Sequence, residues 1–202
     1  MDSDHVEETV ELAGHPLTLL RPASADELID EEAFDDDEFL PYWAELWPSG
    51  VALAHAVAAL ELDGMRVLEL GAGLGLPSLA AALRGADVLA TDWADDAVEL
   101  LRVNAGRNCI GLRAERVRWD EPASLLDGAP WGLVLGADLL YEQRNADRLF
   151  ELLPLLGADV LLADPARPFA KSFLERAAER WHVETTQEPE PSRLALHRLR
   201  LR

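Results

Sequence analysis

Two runs in this chain have the residue types and spacing that chemistry needs. The first is Val67-Leu68-Glu69-Leu70-Gly71-Ala72-Gly73-Leu74-Gly75-Leu76-Pro77, with Ala90-Thr91-Asp92 further on. An apolar strand enters a turn with glycine at every second position, the turn opens a helix, and an acid ends the next strand. Glycines let the backbone approach a ligand closely, and an acid in that place receives ribose hydroxyls, so the layout suits a nucleoside cofactor. A dinucleotide fingerprint wants its third glycine where Leu76 stands; here Gly75 comes one residue early and Glu69 precedes the run. The second run is Trp131-Gly132-Leu133-Val134-Leu135-Gly136-Ala137-Asp138-Leu139-Leu140-Tyr141, an apolar strand ending in Asp-x-x-Tyr. A carboxylate and a phenol side by side can accept hydrogen bonds from an amine and aim its lone pair.

A third segment, Pro41-Tyr42-Trp43-Ala44-Glu45-Leu46-Trp47-Pro48-Ser49-Gly50, places aromatic rings just ahead of the first core helix. Such rings can wall a pocket and hold a cation against their faces. The alternative is an apolar plug over the open side of a sheet.

These residues need a frame that brings them to one edge. Pro48 and Ser49 start a helix over 49–60. Strands are expected near 66–70, 87–91, 114–118, 131–136 and 158–163, with helices near 77–84, 95–106, 144–153 and 169–180. Alternation of this kind argues for parallel βαβ units with right-handed crossovers. Two tail strands, near 181–186 and 193–200, flank Glu188-Pro189-Glu190-Pro191-Ser192 and should pair antiparallel. Residues 8–20 alternate around Gly14-His15-Pro16 as a β-hairpin, and Ser24 with Glu27 could cap a short helix inside the acidic stretch 24–38, the segment expected to be most mobile. The expected architecture is α/β, a Rossmann-like sheet with an N-terminal hairpin and helix extension. It forms a single domain over 1–202, divided into an extension (1–47) and a cofactor-binding core (48–202). In a sheet of this kind ligands sit beyond the carboxyl ends of the strands, where the glycine turn, Asp92, Asp120 and Asp138 would all fall.

Composition narrows the function. The 202 residues are 49% apolar and 28% charged, ordinary for a globular chain with a sizeable core. One cysteine, Cys109, leaves no internal disulfide and no cysteine-built metal site. A formal charge of −20 argues against nucleic acid as a partner, because binding it needs a basic footprint. The acidic N-terminus and the lack of any long apolar run point to the cytoplasm and away from a membrane. A monomer is the expected state, with other oligomers left open.

The Glu-x-Gly-x-Gly-x-Gly run of Glu69 to Gly75 resembles motif I of S-adenosylmethionine-dependent methyltransferases. In that likeness Gly71, Gly73 and Gly75 let the loop pass under the methionine part of S-adenosylmethionine, which leaves as S-adenosylhomocysteine. Glu69 orients the loop or reaches the amino group through water. Asp92 receives both ribose hydroxyls, Trp93 lies against the adenine, and Trp119 and Asp120 bracket its edge. Together the three segments resemble the seven-β-strand lysine methyltransferases often called family 16. The fold implied is a mostly parallel sheet whose last strand inserts antiparallel between the fifth and sixth. Ala163-Asp164-Pro165-Ala166-Arg167-Pro168 further resembles the Asp-Pro-x-Arg-Pro of the branch acting on the β subunit of electron transfer flavoprotein.

The likeness covers roughly residues 40–170. It implies that Trp47, Gly71, Gly73, Asp92 and Trp119 line the cofactor and that Asp138 and Tyr141 form the catalytic pair facing a lysine. Trp43, Asp164 and Arg167 would shape the substrate pocket. The expected function is N-methylation of a lysine on a protein partner by in-line displacement, which needs a neutral amine and no metal. The acidic stretch would recruit a basic substrate surface. A small-molecule amine methyltransferase, resembling nicotinamide N-methyltransferases, is the alternative. A non-catalytic binding module on the same fold is a further one.

Overall fold

The computed structural model describes residues 5–24, 41–189 and 193–202. The chain starts with an antiparallel hairpin of β1 (His5–Leu12) and β2 (His15–Pro22). Ala13 and Gly14 both have positive φ, 49° and 85°, the backbone that closes a two-residue hairpin with the right twist. The hairpin is longer at both ends than the alternation around Gly14 suggests. The capped helix and the acidic stretch expected after it lie outside the described residues.

A single 3-10 turn, Tyr42–Ala44, leads into α1 (Pro48–Ala58), with Pro48 in the first turn, where its missing N–H costs nothing. From there strand and helix alternate. β3 (Arg66–Leu70) is followed by α2 (Leu76–Leu83), and β4 (Asp87–Asp92) by α3 (Asp95–Arg107). β5 (Arg113–Arg116) precedes the short α4 (Ala123–Asp127), and β6 (Leu133–Ala137) precedes α5 (Gln143–Leu156). β7 (Asp159–Asp164), α6 (Ala170–Ala177), β8 (Trp181–Gln187) and β9 (Ala195–Leu201) complete the order.

Seven strands form one sheet in the order β5-β4-β3-β6-β7-β9-β8. β3 to β7 run parallel, and β9 is antiparallel to both its neighbours. The last strand therefore inserts beside β7, as the resemblance implies. Strand neighbours alternate between two apolar layers. Val67, Leu133 and Leu161 face Leu53 of α1, Leu79 of α2 and Leu100 of α3. Leu68, Val134 and Leu162 face Leu149 and Phe150 of α5 and Phe173 of α6. Burial on both faces explains why these strands read as continuous apolar runs.

Two local departures meet at Trp131. Trp131 and Gly132 fall outside β6: Trp131 makes an isolated bridge to Gly157, and its indole N–H donates to the Leu125 carbonyl at 3.1 Å. That bond joins the approach to β6 to α4, a helix of barely more than a turn that has no counterpart among the expected elements. Among the described residues no helix is long and apolar enough to cross a membrane.

Candidate active site

The carboxyl ends of β3, β4, β6 and β7 meet at one edge, and a cleft of about 390 Å³ opens there. The glycine turn forms its floor. Gly71, Gly73 and Gly75 all have positive φ, at 61°, 50° and 83°. At Gly73 space adds to the backbone preference, since a Cβ would lie a tight 3.1 Å from the Trp43 carbonyl oxygen. Asp92 locks the turn from β4: its Oδ2 accepts the Gly73 N–H at 2.9 Å and its Oδ1 the Ala94 N–H at 3.1 Å. Burial raises the Asp92 pKa above the usual carboxylate range, opposed by those backbone N–H groups.

Glu69 sits beneath the turn. Burial pushes its carboxyl to about 8, opposed by Ser78 and reinforced by the charge of Asp92. The Ser78 hydroxyl on α2 donates to Glu69 Oε2. At neutral pH Glu69 is mostly the uncharged acid, a compact polar peg between β3 and α2. Trp93 and Trp119 are half-buried and line the cleft on the β4 and β5 side. Trp119 approaches Gly71 closely enough that a Cβ there would sit 3.9 Å from its ring.

Asp120 faces an adjoining hollow, lined also by Trp93, Trp119 and Arg144, that opens off the same cleft. There it forms ion pairs with Arg118 at 3.0 Å and Arg148 at 3.7 Å, which hold its pKa low.

The opposite wall carries Asp138, Tyr141 and Arg167. Asp138 follows β6 with φ at 59°, a left-handed backbone that costs an ordinary residue but that aspartate tolerates. Its N–H donates to the Ala163 carbonyl at 2.8 Å, so the turn is tied to β7. After β7, Ala166 also has a positive φ, 63°. These two turns deliver Arg167 to Asp138: Nε and Nη2 donate to Oδ1 and Oδ2 at 2.5 and 2.9 Å. The pairing holds the Arg167 pKa above its ordinary value. Asp164 lies behind, accepting the Arg167 backbone N–H at 2.8 Å; burial and the nearby Asp138 charge raise its pKa. The Asp164 Oδ2 is buried without a hydrogen-bond partner.

Aromatic rings border the mouth. Tyr42 packs edge-on against Tyr141 at 5.5 Å and against Trp47 at 6.4 Å, and the Trp47 indole N–H donates to the Tyr42 carbonyl at 2.7 Å. Burial raises the Tyr141 pKa. Trp43 lines the cleft and also packs on the apolar layer under α1, so it is wall and core at once.

The structure thus gathers Trp43, Trp47, Glu69, the three glycines, Asp92 and Trp93 around one cleft, with Trp119, Asp138, Tyr141 and Arg167. Asp164 supports it from the interior. Sequence reasoning passed over Ser49, whose hydroxyl reaches Asp138 Oδ2 at 3.4 Å, and Glu142, which lines the cleft beside Tyr141. Ser49 reads as a helix start, and nothing local in the sequence marks the carboxylate it faces.

The sequence model of the lysine methyltransferase family matches residues 37–176. The chain belongs to that family.

Among its relatives is protein N-lysine methyltransferase METTL21A of Danio rerio, 34% identical over 122 residues, covering 57% of this chain and 56% of that protein. The electron transfer flavoprotein beta subunit lysine methyltransferase of Xenopus laevis is 35% identical over 137 residues, covering 63% and 53%. Histone-arginine methyltransferase METTL23 of Xenopus laevis is 32% identical over 151 residues, covering 71% and 62%. The chain therefore spans a little over half the length of these family members. Among solved structures, the 16S rRNA N2 G1207 methyltransferase of T. Thermophilus, in complex with AdoMet and guanosine, has a TM-score of 0.72 at 16% identity. It covers 98% of this chain and 51% of its own. Magnesium protoporphyrin IX methyltransferase from Synechocystis, with bound SAM, has a TM-score of 0.62 at 16% identity, covering 88% of this chain and 98% of its own. At such identities the likeness is one of fold.

Proposed function

We propose that this chain is an S-adenosylmethionine-dependent methyltransferase that methylates a lysine side chain of a protein. The observation that carries the reading is the two-sided cleft. A glycine turn locked by Asp92 faces a carboxylate and a phenol, Asp138 and Tyr141, across one opening at the carboxyl edge of the sheet.

The residues fit the cofactor. The turn at Gly71 and Gly73 brings bare backbone to the cleft, Asp92 presents its carboxylate at the same edge, and Trp93 and Trp119 offer flat apolar walls. When bound, the cofactor supplies an electrophilic methyl group on sulfur. Asp138 and Tyr141 would accept hydrogen bonds from the acceptor nitrogen and aim its lone pair at that carbon. Tyr42, Trp43 and Trp47 would exclude water, which favours the neutral amine over the ammonium ion. Displacement in line needs alignment and a free lone pair, and both come from these side chains.

Three further assignments belong to this proposal. Residues 1–202 act as one catalytic unit, the hairpin and aromatic segment bordering a core that begins at 48. The partner is a protein and not a nucleic acid, in keeping with the charge of −20. The compartment is the reducing cytoplasm, which suits the exposed free thiol of Cys109.

Incubation with methyl-labelled S-adenosylmethionine and a lysate of the source cells tests the reading. Label in a discrete protein band, recovered as methyllysine on hydrolysis and reduced about a hundredfold by Asp138→Asn, is the expected result. Label only in small molecules would transfer the activity to metabolite amines. Recovery as methylarginine would move the acceptor to arginine, the residue named in the METTL23 relative. No transfer together with no cofactor binding would leave a binding module.

A further inference from the structure

Asp138 and Trp47 come from separate segments and converge on one cation, the guanidinium of Arg167. Its Nε and Nη2 donate to both Asp138 oxygens at 2.5 and 2.9 Å, and its central carbon lies 5.6 Å from the centre of the Trp47 ring. Ser49 Oγ donates to Asp138 Oδ2 at 3.4 Å from the buried side. A largely buried carboxylate with an aromatic face beside it is a built receptor for a side-chain cation. That receptor stands within the cleft that also holds Tyr141, where the acceptor is assigned.

The occupant can leave while the receptor stays. The Arg167 side chain is 33% exposed and that of Asp138 only 9%. The Arg167 backbone is pinned separately, its N–H donating to Asp164 Oδ1 at 2.8 Å, so a swing of the side chain need not move the turn. Asp138 keeps its own anchor through the Ala163 carbonyl. A second cation arriving with Arg167 in place would meet like charge over a carboxylate already committed in both oxygens.

We propose that Arg167 fills the cation subsite of the acceptor as an internal stand-in, and that the substrate side chain enters as an ammonium ion by displacing it, giving its proton to water before the neutral amine is aligned for transfer. The proposal rests on the reading of Asp138 as the acceptor-side carboxylate. A purely supporting Arg167 makes the opposite forecast, since its loss would then disorder Asp138 and weaken any cation bound there.

The test uses n-butylammonium as a stand-in for the lysine side chain, titrated calorimetrically into the full chain without cofactor. Arg167→Gln should bind the probe at least tenfold more tightly than the unaltered protein, and Asp138→Asn added to it should abolish the gain. Arg167→Lys, which keeps a cation, should show little gain. Equal or weaker binding by Arg167→Gln would overturn the proposal. Should that variant fail to fold, the Nε–H signal of Arg167 in the unaltered protein, assigned by its absence in Arg167→Lys, gives a second reading. Saturating probe should shift it towards that of a free arginine, and an unmoved signal would overturn displacement. S-adenosylhomocysteine binding in the same samples reports on the proposed function separately: intact binding with no gain for the probe would reject the stand-in alone.

Discussion

The backbone N–H of Gly73 donates to Asp92 Oδ2 at 2.9 Å, so the glycine turn after β3 is held by the acid that ends β4. The residue assigned to the cofactor's ribose is thus also the lock of the loop assigned to the cofactor's methionine end. Asp92→Ala should therefore do two things at once. It should weaken S-adenosylhomocysteine binding by more than tenfold, and it should lower stability by about 1–3 kcal/mol through the unpaired N–H groups of Gly73 and Ala94. Asp92→Asn should be little better, because its amide would turn a donor towards one of two donors. Calorimetry and thermal melting on both variants check this; full affinity in Asp92→Ala would remove Asp92 from the cofactor site.

Gly75 differs in kind from its two companions. It caps α2 in a left-handed backbone, and a Cβ there would lie 2.6 Å from Leu101 Cγ in the core. Gly75→Ala should cost about 2–4 kcal/mol in stability, from backbone strain and overpacking together. Adding Leu101→Ala opens room for the new methyl, so the double variant should be more stable than the sum of the two single losses. The strain at φ 83° remains, so recovery should be partial. Strict additivity in a double-mutant cycle would show that the clash is not the cause.

Glu69 ties stability to pH. Folding raises its pKa from 4.5 to about 8, so between those values the folded chain keeps a proton that the unfolded chain has lost. The stabilisation from that proton is complete below the unfolded value and disappears as pH climbs through the folded one. Glu69→Gln removes the titration. Chemical denaturation across this window should show the unaltered protein losing ground to the variant with rising pH, at a slope approaching about 1.4 kcal/mol per pH unit. Parallel stability curves would mean that Glu69 stays charged in the folded protein.

Much of this frame was legible because it is written in local pattern. Val67 to Leu70, apolar but for Glu69, runs into Gly71, Leu133 to Ala137 follows Gly132, and the antiparallel tail follows from its short connection. The cleft was legible where one short motif carries it: the glycine turn, Asp92, and Asp138 with Tyr141. What the sequence hid is pairing over distance. Nothing near Asp138 signals a left-handed backbone there, and nothing near Arg167 names its carboxylate, because both depend on how the turns after β6 and β7 meet. Trp43 could not be divided between core and wall, since its ring belongs to both. Helix α4 escaped because five residues are too few to show a periodicity, and the Trp131 indole bond that joins it is a contact over distance.

Asn104 is the least anticipated of these long-range links. Its side chain is fully buried and reads the edge of β2 as a strand would: Oδ1 accepts the Leu20 N–H at 2.7 Å and Nδ2 donates to the Leu20 carbonyl at 3.1 Å. The same Nδ2 lies 3.3 Å from the Leu74 carbonyl inside the glycine turn. Asn108, one helical turn on, repeats the pattern with Thr18 at 3.0 and 2.9 Å. Asn104→Ala should cost about 2–4 kcal/mol, because it strands three backbone groups and opens a small cavity. Asn108→Ala, at a half-buried position, should cost about 1 kcal/mol. Hydrogen exchange should accelerate at Leu20 in the first variant and at Thr18 in the second. S-adenosylhomocysteine affinity should fall several-fold in Asn104→Ala alone, since only that residue touches the turn. If both variants keep full affinity, the hairpin is a brace for α3, and the glycine turn holds its shape through Asp92 without it.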